Sequence, residues 1–112
     1  MNDAYFLRTK RLNDELPVEI PWLTNAQTCV FLRISDATRR RDAEILREMN
    51  IPGFPTHWKN RSGYNRQVLE VLWEFYQLKS LTDRTEAIDK IKPLMEALYA
   101  RKGQRARATC QR

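Results

Sequence analysis

Histidine and cysteine are scarce in this chain: His57 is the only histidine, and the two cysteines, Cys29 and Cys110, lie far apart. One histidine leaves no set of zinc ligands, and the cysteine spacing argues against a disulfide. Cys29, among Val30, Phe31 and Leu32, fits a small core residue, while Cys110 falls in a polar tail. Catalysis is equally poorly furnished, since no serine or cysteine has a base nearby in sequence and carboxylates such as Asp36 and Asp42 are interleaved with arginines. His57 beside Trp58 fits a loop residue, so the chain is expected to be neither an enzyme nor a cofactor protein. No apolar run approaches membrane-spanning length, and no signal-peptide core follows the first charges. The expected setting is soluble and cytoplasmic, with no membrane partner.

What is present is one small domain with a basic balance. The chain has 112 residues, 42% of them hydrophobic, enough for one modest core, and a net charge of +6 that favours a polyanionic partner. That charge is uneven. Residues 33–66 hold eight basic against four acidic side chains, residues 67–99 hold four against six, and residues 100–112 hold five basic and none acidic.

The segment from Phe31 to Ala43 organises the rest, because it joins a helix start to three consecutive arginines. Ser35 is a preferred N-cap and Asp36 adds negative charge to the first turn, so a helix is predicted from there to about Met49. Thr38, Arg41, Ile45 and Met49 share one stripe of it, which turns Arg39 and Arg40 outward and Arg41 inward. Before it, Thr24 caps a helix with Ala26, Cys29, Val30 and Phe31 at helical spacing, and Leu32-Arg33-Ile34 forms the connection. Residues 1–21 form an arm whose apolar side chains pack on the domain, with Val18 to Ile20 extended between Pro17 and Pro21. After the second helix, Asn50 and the Pro52-Gly53 pair mark a stop. Thr56 to Tyr64 has the size and composition of a hairpin with Lys59, Asn60 and Arg61 at a basic tip.

From Val68 to Leu78, eight of eleven residues are apolar, more than one helix face carries. One side closes the core; the surplus asks for a partner. Residues 79–100 provide a further amphipathic helix that Pro93 should kink or break. Phe75, Tyr76, Ile88, Ile91, Met95 and Leu98 are thus the candidate dimer surface. Residues 101–112 are expected to be a disordered basic tail.

Taken in order, Leu23-Thr24, Ile34-Ser35, Thr38, Arg39-Arg40, Gly53-Phe54-Pro55, Arg61, Tyr64 and the apolar helix from Val68 to Trp73 form a pattern over residues 22–78. It resembles the winged helix-turn-helix of MerR-like and excisionase-like (AlpA-type) DNA-binding proteins. The segment from Arg40 to Gly53 is longer than the excisionase pattern, and the expected tryptophan after the arginines is missing. The resemblance implies a mainly α fold, with a short β-hairpin wing and a C-terminal helix, that binds double-stranded DNA. It assigns Asp36, Ala37, Arg39 and Arg40 to the groove, with Ser35 opening that helix. Thr24 and Arg33 fall to phosphates, and Lys59, Asn60 and Arg61 to the adjacent backbone or minor groove. With no ligand-domain length, it supports no small-molecule effector. The bland alternative makes Arg39 to Arg41 a solvated face paired with Asp42, Glu44 and Glu48, for instance Arg40 with Glu44.

Two function classes follow: a dimeric transcriptional regulator, read as a repressor, or a mobile-element accessory factor that bends DNA and docks a recombinase. RNA binding through the tail is opposed by the lack of RNA-reading aromatic motifs.

Overall fold

Apolar side chains near the start of the chain anchor it to the rest. The computed structural model describes residues 10–52, 54 and 63–110, and for 101–110 the backbone alone. A single helical turn, α1 (Leu12–Glu15), buries Leu12, and Leu16 follows it into the core. Lys10 is pinned just before it, its carbonyl accepting from Trp73 Nε1 and Gln77 Nε2, both at 2.8 Å. The expected packing of the arm therefore holds for Leu12, Leu16 and, in part, Ile20, whereas Val18 is 66% exposed. Val18 and Glu19 are not extended, however: they form a turn closed by the Ile20 N–H on the Pro17 carbonyl at 3.0 Å. The turn brings the carbonyls of Leu16, Pro17 and Ile20 onto one guanidinium, that of Arg66, which also donates to Asn13. That convergence is why the turn replaces an extended run.

Strand β1 (Trp22–Thr24) leads directly into α2 (Asn25–Leu32). Thr24 caps α2 as expected, its hydroxyl accepting from the Gln27 N–H at 3.1 Å while the Gln27 side chain accepts from the Thr24 N–H at 2.9 Å. The buried face differs from the apolar spacing. Thr28 and Leu32 point inward, whereas Ala26 is exposed and Val30 is 78% exposed. Thr28 tolerates burial because its hydroxyl donates back to the Thr24 carbonyl at 2.8 Å.

Arg33 ends α2 in the left-handed region at φ 56°. Its N–H reaches the Val30 carbonyl and the Ile34 N–H reaches that of Cys29, a paired closure that satisfies two helix-end acceptors. Ser35 then caps α3 (Asp36–Glu48), accepting from the Thr38 N–H at 3.1 Å, and Asn50 follows the helix at φ 54°. Both limits agree with the expected helix.

Strand β2 (Gly63–Asn65) pairs antiparallel with β1, with Leu23 opposite Tyr64 and Thr24 opposite Gly63. Tyr64 thus joins a strand some forty residues earlier in the chain. The expected hairpin tip at Lys59, Asn60 and Arg61, together with His57 and Trp58, lies outside the described residues. Gly63 is required by packing: a Cβ there would stand 2.1 Å from Trp22 Cζ3 and 2.3 Å from the Leu23 carbonyl oxygen.

Asn65 caps α4 (Arg66–Leu81), the central helix, with its side chain accepting from the Val68 N–H at 2.9 Å. Asp83 opens α5 (Arg84–Cys110) by accepting from the Glu86 N–H at 2.8 Å. Near their far ends the two helices are joined by Gln67 Nε2 donating to the Tyr99 hydroxyl at 2.9 Å, so α5 returns along α4. Ala87, Ile91, Leu94 and Met95 are buried against it.

This arrangement corrects three positions of the candidate dimer surface, Phe75, Ile91 and Met95. Phe75, Ile91 and Met95 are 0% exposed within one chain, and Tyr76, Ile88 and Leu98 are half-buried against the same core. The surplus apolar face of α4 is covered by α5. Helix α5 also runs through Pro93 without a break. Asp89, whose carbonyl loses its usual donor, and Pro93 itself both lie on the exposed side, where water can take that acceptor. The backbone beyond Arg101 continues the helix to Cys110 where a tail was expected, over a run rich in the good helix formers Ala, Arg, Lys and Gln. The whole is mainly helical, with one small two-stranded antiparallel sheet.

Candidate nucleic-acid interface

Two polar clusters on α3 decide which of its side chains face outward. Its buried residues are Arg39, Asp42 and Leu46, three and four positions apart. This stripe replaces the expected one of Thr38, Arg41, Ile45 and Met49, and it reverses the roles of two arginines. Arg39 is buried, while Arg41 is exposed.

Burial of Arg39 is made tolerable by two partners. Its Nη1 donates to the Tyr64 hydroxyl at 2.7 Å, and its Nη2 donates to Asp36 Oδ1 at 2.6 Å. The guanidinium also lies 5.9 Å from the centre of the Tyr64 ring. Burial opposes its charge, but the hydrogen bonds to Asp36 and Tyr64 outweigh that, and its pKa rises above the ordinary arginine value. The same bond from Arg39 holds the Asp36 carboxyl below the usual carboxylate range, with Arg40 adding to the effect. Arg39 Nε alone, buried, has no hydrogen-bond partner among the described residues. Arg39 therefore ties α3 to β2.

Asp42 does the equivalent task one turn further on. It is 4% exposed in its side chain, and it takes Lys79 Nζ on one oxygen and Arg84 Nη2 at 3.2 Å on the other. These bonds fasten α3 to the end of α4 and the start of α5. Lys79 also stands 5.1 Å from the Phe75 ring centre.

The outward face of α3 begins with Asp36, Ala37, Arg40 and Arg41, all exposed, and Arg33 is exposed in the turn before it. Among the described residues no ion pair holds Arg33 or Arg41. Arg40 is 74% exposed in its side chain and pairs with Asp36 Oδ2 at 2.7 Å, rather than with Glu44 as the bland alternative had it. Further along the same face come Glu44 and Glu48, also exposed. The outward face thus carries Arg40 and Arg41 beside Asp36 in its N-terminal half, and Glu44 and Glu48 with Arg47, paired to Glu44 at 3.7 Å, in its C-terminal half.

The other expected contacts divide plainly. Ser35 and Thr24 lie at the starts of α3 and α2 with their hydroxyls engaged in capping. Ser35 is exposed and Thr24 half-buried, so Ser35, Asp36, Ala37, Arg40 and Arg33 are brought together while Arg39 lies behind them. Arg41, assigned inward by apolar periodicity, joins the exposed set. The sign in the sequence was Leu46: taking it as the centre of the inner stripe puts Asp42 and Arg39 beside it and Arg41 opposite.

Several other cations are spent on structure. Arg66 holds the turn at residues 17–20, and Arg11 pairs with Glu74, which is 2% exposed in its side chain, at 2.5 Å. Among the described residues no group of histidine, cysteine, aspartate or glutamate side chains could hold a metal ion. None of the described helices is long and apolar enough to cross a membrane. No family model, curated protein or solved structure matches this chain.

Proposed function

We propose that the chain binds double-stranded DNA sequence-specifically, as a transcriptional regulator, by laying the N-terminal half of α3 in the major groove. The supporting observation is the sorting of cations: Arg33, Arg40 and Arg41 are exposed together at one helix end, whereas Arg39, Arg66, Lys79 and Arg84 are committed to internal partners. A recognition helix that enters by its N-terminal residues needs this polarity, because cations there meet phosphates and base edges. Glu44 and Glu48, further along the face, then lie where the helix leaves the groove. In this reading α2, the Arg33 turn and α3 are the helix-turn-helix of the resembled family, and β2 is the base of its wing.

Titration of a fluorescent random duplex at several salt concentrations tests it. The wild-type chain should bind with a steep salt dependence. Arg33→Ala and Arg41→Ala should each flatten the slope of log K against log salt by about one. Absence of duplex binding, or slopes unmoved by both substitutions, would reject the reading.

A further inference from the structure

The proposed interface includes one group that does not attract phosphate. Asp36 lies in the first turn of α3 with its side chain 53% exposed, and its two oxygens have different partners. Oδ1 accepts from Arg39 at 2.6 Å, and Arg39 is in turn bonded to Tyr64. That oxygen is anchored to the protein interior. Oδ2 faces Arg40 at 2.7 Å, whose side chain is 74% exposed and has no second ion pair among the described residues. This contact can be exchanged.

A carboxylate fixed at the groove-facing end of a helix discriminates strongly among its neighbours. Phosphates repel it. So do the guanine N7 and O6 and the thymine O4, which are acceptors; adenine offers one donor beside its N7 acceptor. Cytosine alone presents only a donor, its N4 amino group. The small side chain of Ala37 adjoins Asp36 on the same exposed face and leaves room for a base edge to approach.

We propose that Asp36 is the specificity-determining residue of this interface, with Oδ2 accepting from a cytosine amino group and releasing Arg40 to the DNA when that base is present. The proposal rests on the DNA-binding reading above. Away from a matching base, Arg40 stays on Asp36 and one cation is withheld from the duplex. One ion pair thus raises selectivity twice, by adding a contact at the right site and removing one elsewhere.

Asp36→Asn keeps a carbonyl oxygen for Arg39 while removing the charge, so it is the informative variant. Binding-site selection from a random duplex pool should enrich cytosine at one position for the wild type, and Asp36→Asn should reduce that preference about tenfold. On random duplex the same variant should bind more tightly, with a salt slope steeper by about 0.9, and the double variant Asp36→Asn, Arg40→Ala should lose the added slope, keeping only the gain that comes from removing the carboxylate's repulsion of phosphate. Retained cytosine preference, an unchanged slope, or an added slope that persists without Arg40 would each overturn the proposal. Should Asp36→Asn lose its fold by disturbing Arg39, Arg40→Ala carries the test alone. It is expected to weaken the selected site about tenfold more than it weakens random duplex; equal weakening on both overturns the proposal. Failure of the underlying reading looks different, because it shows in Arg33→Ala and Arg41→Ala, which leave Asp36 and Arg40 in place.

Discussion

Arg39 illustrates how one side chain can support the proposed interface without lying in it. Its two hydrogen bonds reach Tyr64 on β2 and Asp36 at the start of α3, so it sets where the exposed arginines stand relative to the sheet. Tyr64→Phe removes the hydroxyl that accepts from Nη1 and leaves a buried charged donor unpaired. The expected cost is about 1.5–3 kcal/mol, read from the urea midpoint at unchanged m-value, with duplex affinity reduced in the same variant. A loss under 0.5 kcal/mol would mean that water or another acceptor replaces the hydroxyl. The position of Arg39 was hidden in the sequence for a physical reason. Apolar periodicity locates a core stripe only where the stripe is apolar, and here two of its three buried members, Arg39 and Asp42, are charged and are paired with residues far along the chain. Sequence spacing shows that Arg39 and Asp42 share a face; it does not show Tyr64, Lys79 or Arg84 waiting there.

Elements were far more legible than faces, because helix ends are written in short-range chemistry. Thr24, Ser35, Asn65 and Asp83 each accept from an N–H three residues on, and such caps depend on the capping residue and its neighbours alone. Strand β2 was not separable from a local hairpin, since its partner β1 lies across two intervening helices. Between α2 and α3 the turn has a local cost that bears on function. Arg33 occupies the left-handed region, where a non-glycine side chain costs roughly 1–2 kcal/mol, while glycine carries an unfolded-state entropy penalty of about 0.5–1 kcal/mol. The first term matches or exceeds the second, so Arg33→Gly should leave stability unchanged or raise it by up to about 1.5 kcal/mol. If Arg33 also faces phosphate, the same variant should lose duplex affinity. Thermal melting and duplex titration on one sample therefore separate the two roles: a large stability loss would show that the arginine side chain holds the turn, and undiminished affinity would remove it from the interface.

At the scale of the molecule, the long apolar helix was correctly marked as needing a second cover, but composition does not say whether that cover comes from the same chain. The intervening Asp83 cap and the antiparallel return of α5 supply it internally, burying Phe75, Ile91, Leu94 and Met95 at 0% exposure. Local capping carries that geometry only as far as the start of α5; the return depends on contacts such as Gln67 with Tyr99, more than thirty residues apart. The arrangement bears on how α3, the proposed recognition helix, is held, because Asp42 joins it to Lys79 on α4 and Arg84 on α5. Loosening the α4–α5 contact should therefore loosen α3. Phe75→Ala removes a fully buried ring of α4 beside Lys79, which holds Asp42, with an expected cost of about 3–5 kcal/mol. Because the ring is covered by its own chain, that loss should be the same at every protein concentration, and sedimentation should show no change in mass at concentrations where the variant stays folded. A midpoint that climbs with protein concentration in the wild type, and stops doing so in Phe75→Ala, would mean that this face joins two chains and that α5 folds back only when alone.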